Sequence, residues 1–233
     1  MPVPYFYEPN LISGNTSFTL SETSSKHCIQ VLRMQENDRI DLTNGKGFLF
    51  EASIQVPHKK NTIVAIVSEK KFPALSQNLI LGIALLKNAT RLEWLFEKAT
   101  EMGVTAIIPM LCERTIFEKF KMDRMQNIVQ SAMIQSQQTW LPQIATSVKF
   151  KEVIATQKNT QKLIAHCETG IKMDIKKIQA AQDCILLIGP EGDFSPTEIA
   201  LALEQDYQAI HLGPTRLRTE TAGLYAISIL KTF

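Results

Sequence analysis

Two periodicities divide the chain of 233 residues. Through residues 1–72 apolar and polar positions alternate over short stretches: Arg39-Ile40-Asp41-Leu42, the turn Asn44-Gly45, then Phe48-Leu49-Phe50-Glu51-Ala52-Ser53-Ile54. After the polar stretch His58-Lys59-Lys60-Asn61 comes a third run over 62–67. A period of two predicts half-buried strands, and Asn-Gly predicts a hairpin between the first two. Residues 24–34 predict a short helix. Several short strands joined by turns fit a small barrel. Lys70-Lys71-Phe72-Pro73 breaks the texture and predicts a linker, which places a domain boundary between 72 and 73.

From residue 77 onward apolar runs alternate with helical spacing. Residues 79–86, 104–110, 163–167 and 185–188 predict buried strands. Thr90-Arg91-Leu92-Glu93 predicts a capping box opening a helix, with Leu92, Leu95, Phe96, Ala99 and Met102 on one face and Gly103 ending it. A long helix is predicted over 123–138, and Ser195-Pro196-Thr197-Glu198 predicts a second capping box with proline in the first helical position. Ala222, Tyr225, Ala226, Ile229, Leu230 and Phe233 form an apolar stripe on a terminal helix. Strands alternating with helices over 73–233 predict a parallel α/β sheet.

Two of the predicted strands run into glycine turns: Ile188-Gly189-Pro190-Glu191-Gly192 and Leu212-Gly213-Pro214-Thr215-Arg216-Leu217-Arg218. Glycine lets backbone approach a ligand closely, and open α/β sheets hold ligands beyond the carboxyl ends of their strands. Neither a GxGxxG nor a GxxxxGK[ST] pattern occurs, which disfavours nicotinamide cofactors and nucleotide triphosphates. The ligand expected there has an apolar or adenine-like body and little negative charge. Arg216 and Arg218, flanking Leu217, form a fork suited to a phosphate or a base edge.

Hydrophobic content of 45% is enough for a real core, and a net charge of +2 confines any nucleic-acid site to a local patch. The four cysteines form no CxxC pair and read as buried thiols of a reducing compartment, with no metal site expected. Prolines and Glu8 near the start predict no secretory leader, and the longest apolar run is too short for a bilayer, so a cytoplasmic, non-membrane protein is expected.

At four segments the chain strongly resembles the RsmE family, the 16S ribosomal RNA uridine N3-methyltransferases of the SPOUT superfamily. They are His27-Cys28-Ile29-Gln30-Val31-Leu32-Arg33, Glu93-Trp94-Leu95-Phe96-Glu97-Lys98-Ala99-Thr100-Glu101-Met102-Gly103-Val104, Gly189-Pro190-Glu191-Gly192 and Leu217-Arg218-Thr219-Glu220-Thr221-Ala222. The resemblance spans essentially the whole chain. It implies a small PUA-like β-barrel over 1–72 for RNA binding, then a SPOUT-type parallel sheet over 73–233 with a C-terminal trefoil knot. It also implies S-adenosylmethionine as cofactor, a homodimer with each site near the subunit boundary, and small-subunit ribosomal RNA, free or in the assembled subunit, as partner.

On that resemblance the cofactor residues are His166, Glu168, Ile188, Gly189, Pro190, Gly192, Leu212, Gly213, Leu217, Thr219, Thr221 and Ala222. Arg218 stabilises the uracil oxygens or an adjacent phosphate, Glu220 orients it or accepts the proton from N3, and Glu191 is the reserve base. His27, Arg33, Lys46 and Arg216 are the RNA contacts. The chain departs from the family at Ile134 and Gln138, where many members have Glu and Arg around a Gln-Ser pair. It departs again at Asn37-Asp38, where Gly-Asp is common and Asn serves if the turn is left-handed. The alternatives are a related SPOUT enzyme acting on a ribose hydroxyl or another base, and a non-catalytic RNA-binding ribosome assembly factor. A Rossmann-like oxidoreductase fits least.

Overall fold

The computed structural model describes residues 3–117 and 119–231. The chain forms two compact units, one of Met1–Ala74 with Met133–Leu141 and one of Leu75–Ala132 with Pro142–Phe233.

The first unit holds β1 (Tyr5–Tyr7), β2 (Ser17–Thr19), α1 (Glu22–Lys26), β3 (Arg39–Thr43), β4 (Phe48–Val56) and β5 (Ile63–Lys71). Its five-stranded sheet runs β1-β3-β4-β5-β2, with β1 parallel to β3 and the other neighbours antiparallel. The alternation places Ile40, Leu42, Phe50, Ala52, Ile54 and Val64 in the core, where they meet Phe6, Leu11 and Leu20. Two register shifts between β4 and β5 add the local twist that curls so short a sheet. β5 continues through Lys70 and Lys71, so the expected linker begins two residues late.

Between β3 and β4 the Asn44-Gly45 turn is longer than a two-residue hairpin, because Thr43 pairs with Leu49. The Asn44 side chain accepts the Lys46 N–H at 2.9 Å and donates to the Leu11 carbonyl at 3.1 Å, and Gly45 and Gly47 take positive φ. The predicted helix over 24–34 starts earlier, at Ser21 as N-cap, and widens into a π turn over His27–Val31 that ends at left-handed Arg33. Asn37 has φ +71, the left-handed turn in which asparagine is expected to serve. Met133–Leu141 joins this unit through concrete contacts: the Tyr5 hydroxyl donates to the Gln138 carbonyl, and Lys46 bridges Trp140.

The second unit contains β6 (Asn78–Ala84), α2 (Ala89–Glu101), β7 (Ala106–Leu111), all but the last three residues of α3 (Met122–Gln135), β8 (Gln143–Ile144), β9 (Val148–Lys149) and α4 (Phe150–Thr156). It continues with β10 (Gln161–Ala165), β11 (Met173–Asp174), β12 (Asp183–Ile188), α5 (Pro196–Glu204), β13 (Gln208–His211) and α6 (Thr219–Leu230). The sheet order is β11-β13-β10-β12-β6-β7-β8, with β9 also on β7, and every pairing is parallel. β12 is buried along almost its whole length, as its unbroken apolar run predicts.

The Ser195 capping box forms in full, with Pro196 in the first turn. The box expected at Thr90 does not form: Asn88 is the N-cap and its side chain accepts the Arg91 N–H, so α2 starts two residues sooner. α3 stops at Gln135 rather than 138, because Gln137 takes φ +53 and the Gln138 N–H turns back to the Met133 carbonyl. On α6 the buried stripe is Ala222, Gly223, Ala226, Ile227 and Leu230; Ile229 is only half-buried, and Phe233 lies outside the described residues. Cys28, Cys112 and Cys184 are buried, but Cys167 is exposed, contrary to expectation, because it sits in a loop beyond the end of β10. Among the described residues no helix is long and apolar enough to cross a membrane.

Candidate active site

Three neighbouring strands end together. Ala165, the last residue of β10, pairs with Ile188 at the end of β12 and with Ile210 of β13. Parallel strands in this register must release their loops on one side of the sheet. Those loops enclose a pocket of about 500 Å3 lined by Ala165, Ile188 and Ile210 at its floor. The two glycine turns therefore do meet, with β10 and its loop between them.

Each wall has a local physical cause. After β12 the Asp193 N–H closes a turn onto the Pro190 carbonyl at 2.9 Å. A Cβ on Gly189 would stand 3.1 Å from the Phe194 backbone nitrogen, a crowded contact that glycine avoids. After β13, Gly213 holds φ +119, a conformation that disfavours any side chain. After β10, Lys172 Nζ donates to the His166 and Glu168 carbonyls at 3.1 and 2.7 Å and folds that loop back.

α6 begins here: Arg218 is its N-cap without a side-chain cap bond, and Thr219 and Glu220 are buried in its first turn. A carboxylate at a helix N-terminus complements the macrodipole. Glu220 also faces a cation from another element, with Arg91 Nε 3.6 Å from its Oε1. Among the described residues this ion pair goes to Arg91 and not to Arg218. Glu191 accepts the Lys87 N–H at 3.2 Å.

His166 is 9% exposed, and among the described residues neither ring nitrogen has a partner. Burial pushes its imidazole below the ordinary histidine value, and the charge of Lys172 adds to this against the opposing Asp193 and Glu168. Two unanswered buried nitrogens are unusual, and here they belong to a residue of the pocket wall.

Of the residues expected from the sequence, His166, Ile188, Gly189, Pro190, Glu191, Leu212, Gly213, Arg216, Leu217, Arg218, Thr219, Glu220 and Ala222 line the pocket. Glu168, Gly192 and Thr221 do not. Glu168 offers only its carbonyl to Lys172, Gly192 gives its carbonyl to Arg114 at 2.9 Å, and Thr221 is exposed on α6. His27, Arg33 and Lys46 are exposed side chains of the first unit, His27 edge-on to Phe6. Ile134 is half-buried, and Gln138 donates to the Ser136 hydroxyl at 3.0 Å. Arg91, Lys172 and Asp193 also line the pocket and were not anticipated.

Residues 73–231 match the family described as RNA methyltransferase domain, and residues 20–67 match that described as RNA methyltransferase PUA domain. The ribosomal RNA small subunit methyltransferase E of a Synechocystis species is 31% identical over 88% of this chain and 70% of its own length. The chain belongs to the RsmE family. The Bacillus subtilis enzyme of the same name is 26% identical over 97% of this chain and 94% of its own. A solved structure of ribosomal RNA small subunit methyltransferase E from Neisseria gonorrhoeae, bound to S-adenosyl methionine, is 31% identical. It superposes with a TM-score of 0.87 over 97% of this chain and 95% of that one. Membership of the RsmE family agrees with a pocket that offers glycine turns and an apolar floor in place of a phosphate loop.

Proposed function

We propose that this chain transfers a methyl group from S-adenosylmethionine to N3 of a uridine in small-subunit ribosomal RNA. The observation that carries the reading is the alignment of Ala165, Ile188 and Ile210, whose three loops make one pocket in a chain of this family. The residues fit the cofactor. Ile188, Leu212, Leu217 and Ala222 suit an adenosyl body, and the glycine turns let it approach the backbone closely. Bound there, the cofactor supplies a methyl group on a positively charged sulfur, already electrophilic.

The protein's own task is then alignment and proton management. Uridine N3 carries a proton that must leave before N3 can attack. Glu220 is the proton acceptor in this reading, held by Arg91 at the start of α6. Glu191 stands second because its carboxylate already serves the Lys87 N–H. Arg218, exposed at the N-cap, stabilises negative charge growing on the uracil oxygens. N3 lies on the Watson–Crick edge, so the base must be unpaired or flipped out. Arg216 at the pocket, and His27, Arg33 and Lys46 on the first unit, contact the RNA. The family resemblance adds a PUA-like domain over 1–72, a homodimer and a threaded C-terminal knot to the proposal.

Calorimetry with S-adenosylmethionine, followed by mass analysis of digested small-subunit RNA, tests this. N3-methyluridine is expected. A 2′-O-methyl nucleoside would move the chemistry to ribose, and RNA binding without cofactor binding would leave an assembly factor.

A further inference from the structure

Five residues other than glycine hold a positive φ among the described residues: Arg33, Asn37, Gln137, Asp193 and Asp206. Only Asp193 of these lines the pocket. Its φ is +66, it is 9% exposed, and its two carboxylate oxygens are divided between different tasks. Oδ1 accepts the N–H of the next residue, Phe194, at 2.8 Å. Oδ2 accepts the Cys167 N–H at 2.7 Å, across 26 positions of sequence.

The first bond is local and suits any Asp in a tight turn. The second is different, since it joins the loop after β10 to the turn after β12. Both segments are walls of the same pocket. Glycine would adopt this backbone with less strain and could make neither bond. Aspartate at this left-handed position carries a cost in backbone strain, and its far oxygen reaches the other wall.

We propose that Asp193 is a positioning residue for the cofactor: it staples the His166–Cys167 loop to the turn after β12 and fixes the separation of the two walls. The inference rests on the reading that this pocket holds S-adenosylmethionine. Charge-assisted bonds to backbone donors are among the stronger ones available, so loosening this one is expected to weaken the site by about tenfold or more.

The test compares wild type with Asp193→Gly and Asp193→Asn by three measurements. These are calorimetric affinity for S-adenosylmethionine, the thermal midpoint, and the rate at which a thiol reagent labels Cys167. Cys28, Cys112 and Cys184 are buried, so labelling of the folded protein reports Cys167. Asp193→Gly is expected to weaken affinity about tenfold and speed labelling, while relief of the left-handed strain offsets the lost bonds and keeps the thermal midpoint near that of wild type. Asp193→Asn keeps one acceptor oxygen and is expected to fall between, raising KM while kcat stays within about twofold.

Unchanged affinity in Asp193→Gly overturns the role. So does a fall in affinity that merely follows the thermal midpoint in both variants with Cys167 labelling unaltered. Should Asp193→Gly not fold, the affinity and labelling of Asp193→Asn decide by the same criteria. Failure of the wild type itself to bind removes the cofactor reading and this inference with it. Tight binding by both wild type and Asp193→Gly removes the positioning role alone.

Discussion

Arg91 and Glu220 meet at 3.6 Å although they belong to the first turns of two different helices, α2 and α6. At the other end Lys231, just past α6, donates to the carbonyl of Gly103, just past α2, at 2.7 Å. The two helices thus run side by side in the same direction and are tied at both ends. Gly223 permits their approach, since a Cβ there would come within 3.2 Å of the Leu95 side chain. The ion pair at the pocket end stands on a rigid pair of helices.

Removing either partner should therefore affect chemistry more than folding. Glu220→Gln is expected to lower kcat by about 100-fold, the scale of a lost general base. Arg91→Ala is expected to lower it about tenfold, and the double variant to be no slower than Glu220→Gln, because Arg91 acts through Glu220. Single-turnover methyl transfer measures all three, and full additivity would separate the two residues.

Arg218→Ala is expected to lose methyl transfer by about 100-fold or more while affinity for S-adenosylmethionine survives. Paired calorimetry and turnover check this. Wild-type turnover in the variant would exclude the role given to Arg218.

The depressed pKa of His166 has a definite sign for stability. Below the ordinary histidine value of 6.5 the unfolded chain takes up a proton that the folded site, through burial and then Lys172, resists. Stability contributed by the neutral ring is therefore present above 6.5 and is lost as pH falls from there toward the folded pKa. Thermal midpoints recorded from pH 7.5 to pH 5.5 should fall more steeply for wild type than for His166→Gln. Equal slopes would show that the ring does not titrate in this way.

RNA affinity should carry a salt signature from the first unit. Arg33 and Lys46 are both exposed there. If each meets a phosphate, Arg33→Ala with Lys46→Ala lowers the slope of log affinity against log salt by about 1.5 to 2. A weaker complex with an unaltered slope would place the phosphate contacts on other residues.

Helix ends show what the sequence could disclose and what it could not. α2, α3 and α5 finish with the same left-handed residue and the same pair of returning N–H bonds, at Gly103, Gln137 and Asp206. Gly103 is legible because glycine is the residue the motif favours. Gln137 and Asp206 give no such sign, and the spacing accordingly predicts α3 three residues too long. Ser195 is legible because its capping box is complete within four residues. Thr90 imitates the same pattern, but Asn88 lies nearer the end of β6 and supplies the oxygen first.

Long-range features were out of reach for a related reason. β1, β2, β8, β9 and β11 are two or three residues long and exist only through their partners. Nothing local in Met133–Leu141 announces that Trp140 packs over Gly47. In the pocket, the glycine turns and the Arg218–Glu220 segment were legible as local motifs. Lys172 and Asp193 were not: Lys172 acts on carbonyls of its own loop that no motif marks, and Asp193 acts on backbone 26 positions away. Arg91 could have been found: it opens the helix that follows β6, a strand parallel to β12 and released on the same side.

Because Ala165 is flanked by Ile188 and Ile210, the central wall comes from a strand made before both of its neighbours. The donor site is consequently a late product of assembly, complete only when segments from Arg91 to Ala222 have converged. Ligation then acts on the whole sheet rather than on a loop: at a hundredfold excess over Kd it adds about 2.7 kcal/mol to the finished unit. On that reading, the cell's supply of methyl donor governs the lifetime of the enzyme as well as its turnover.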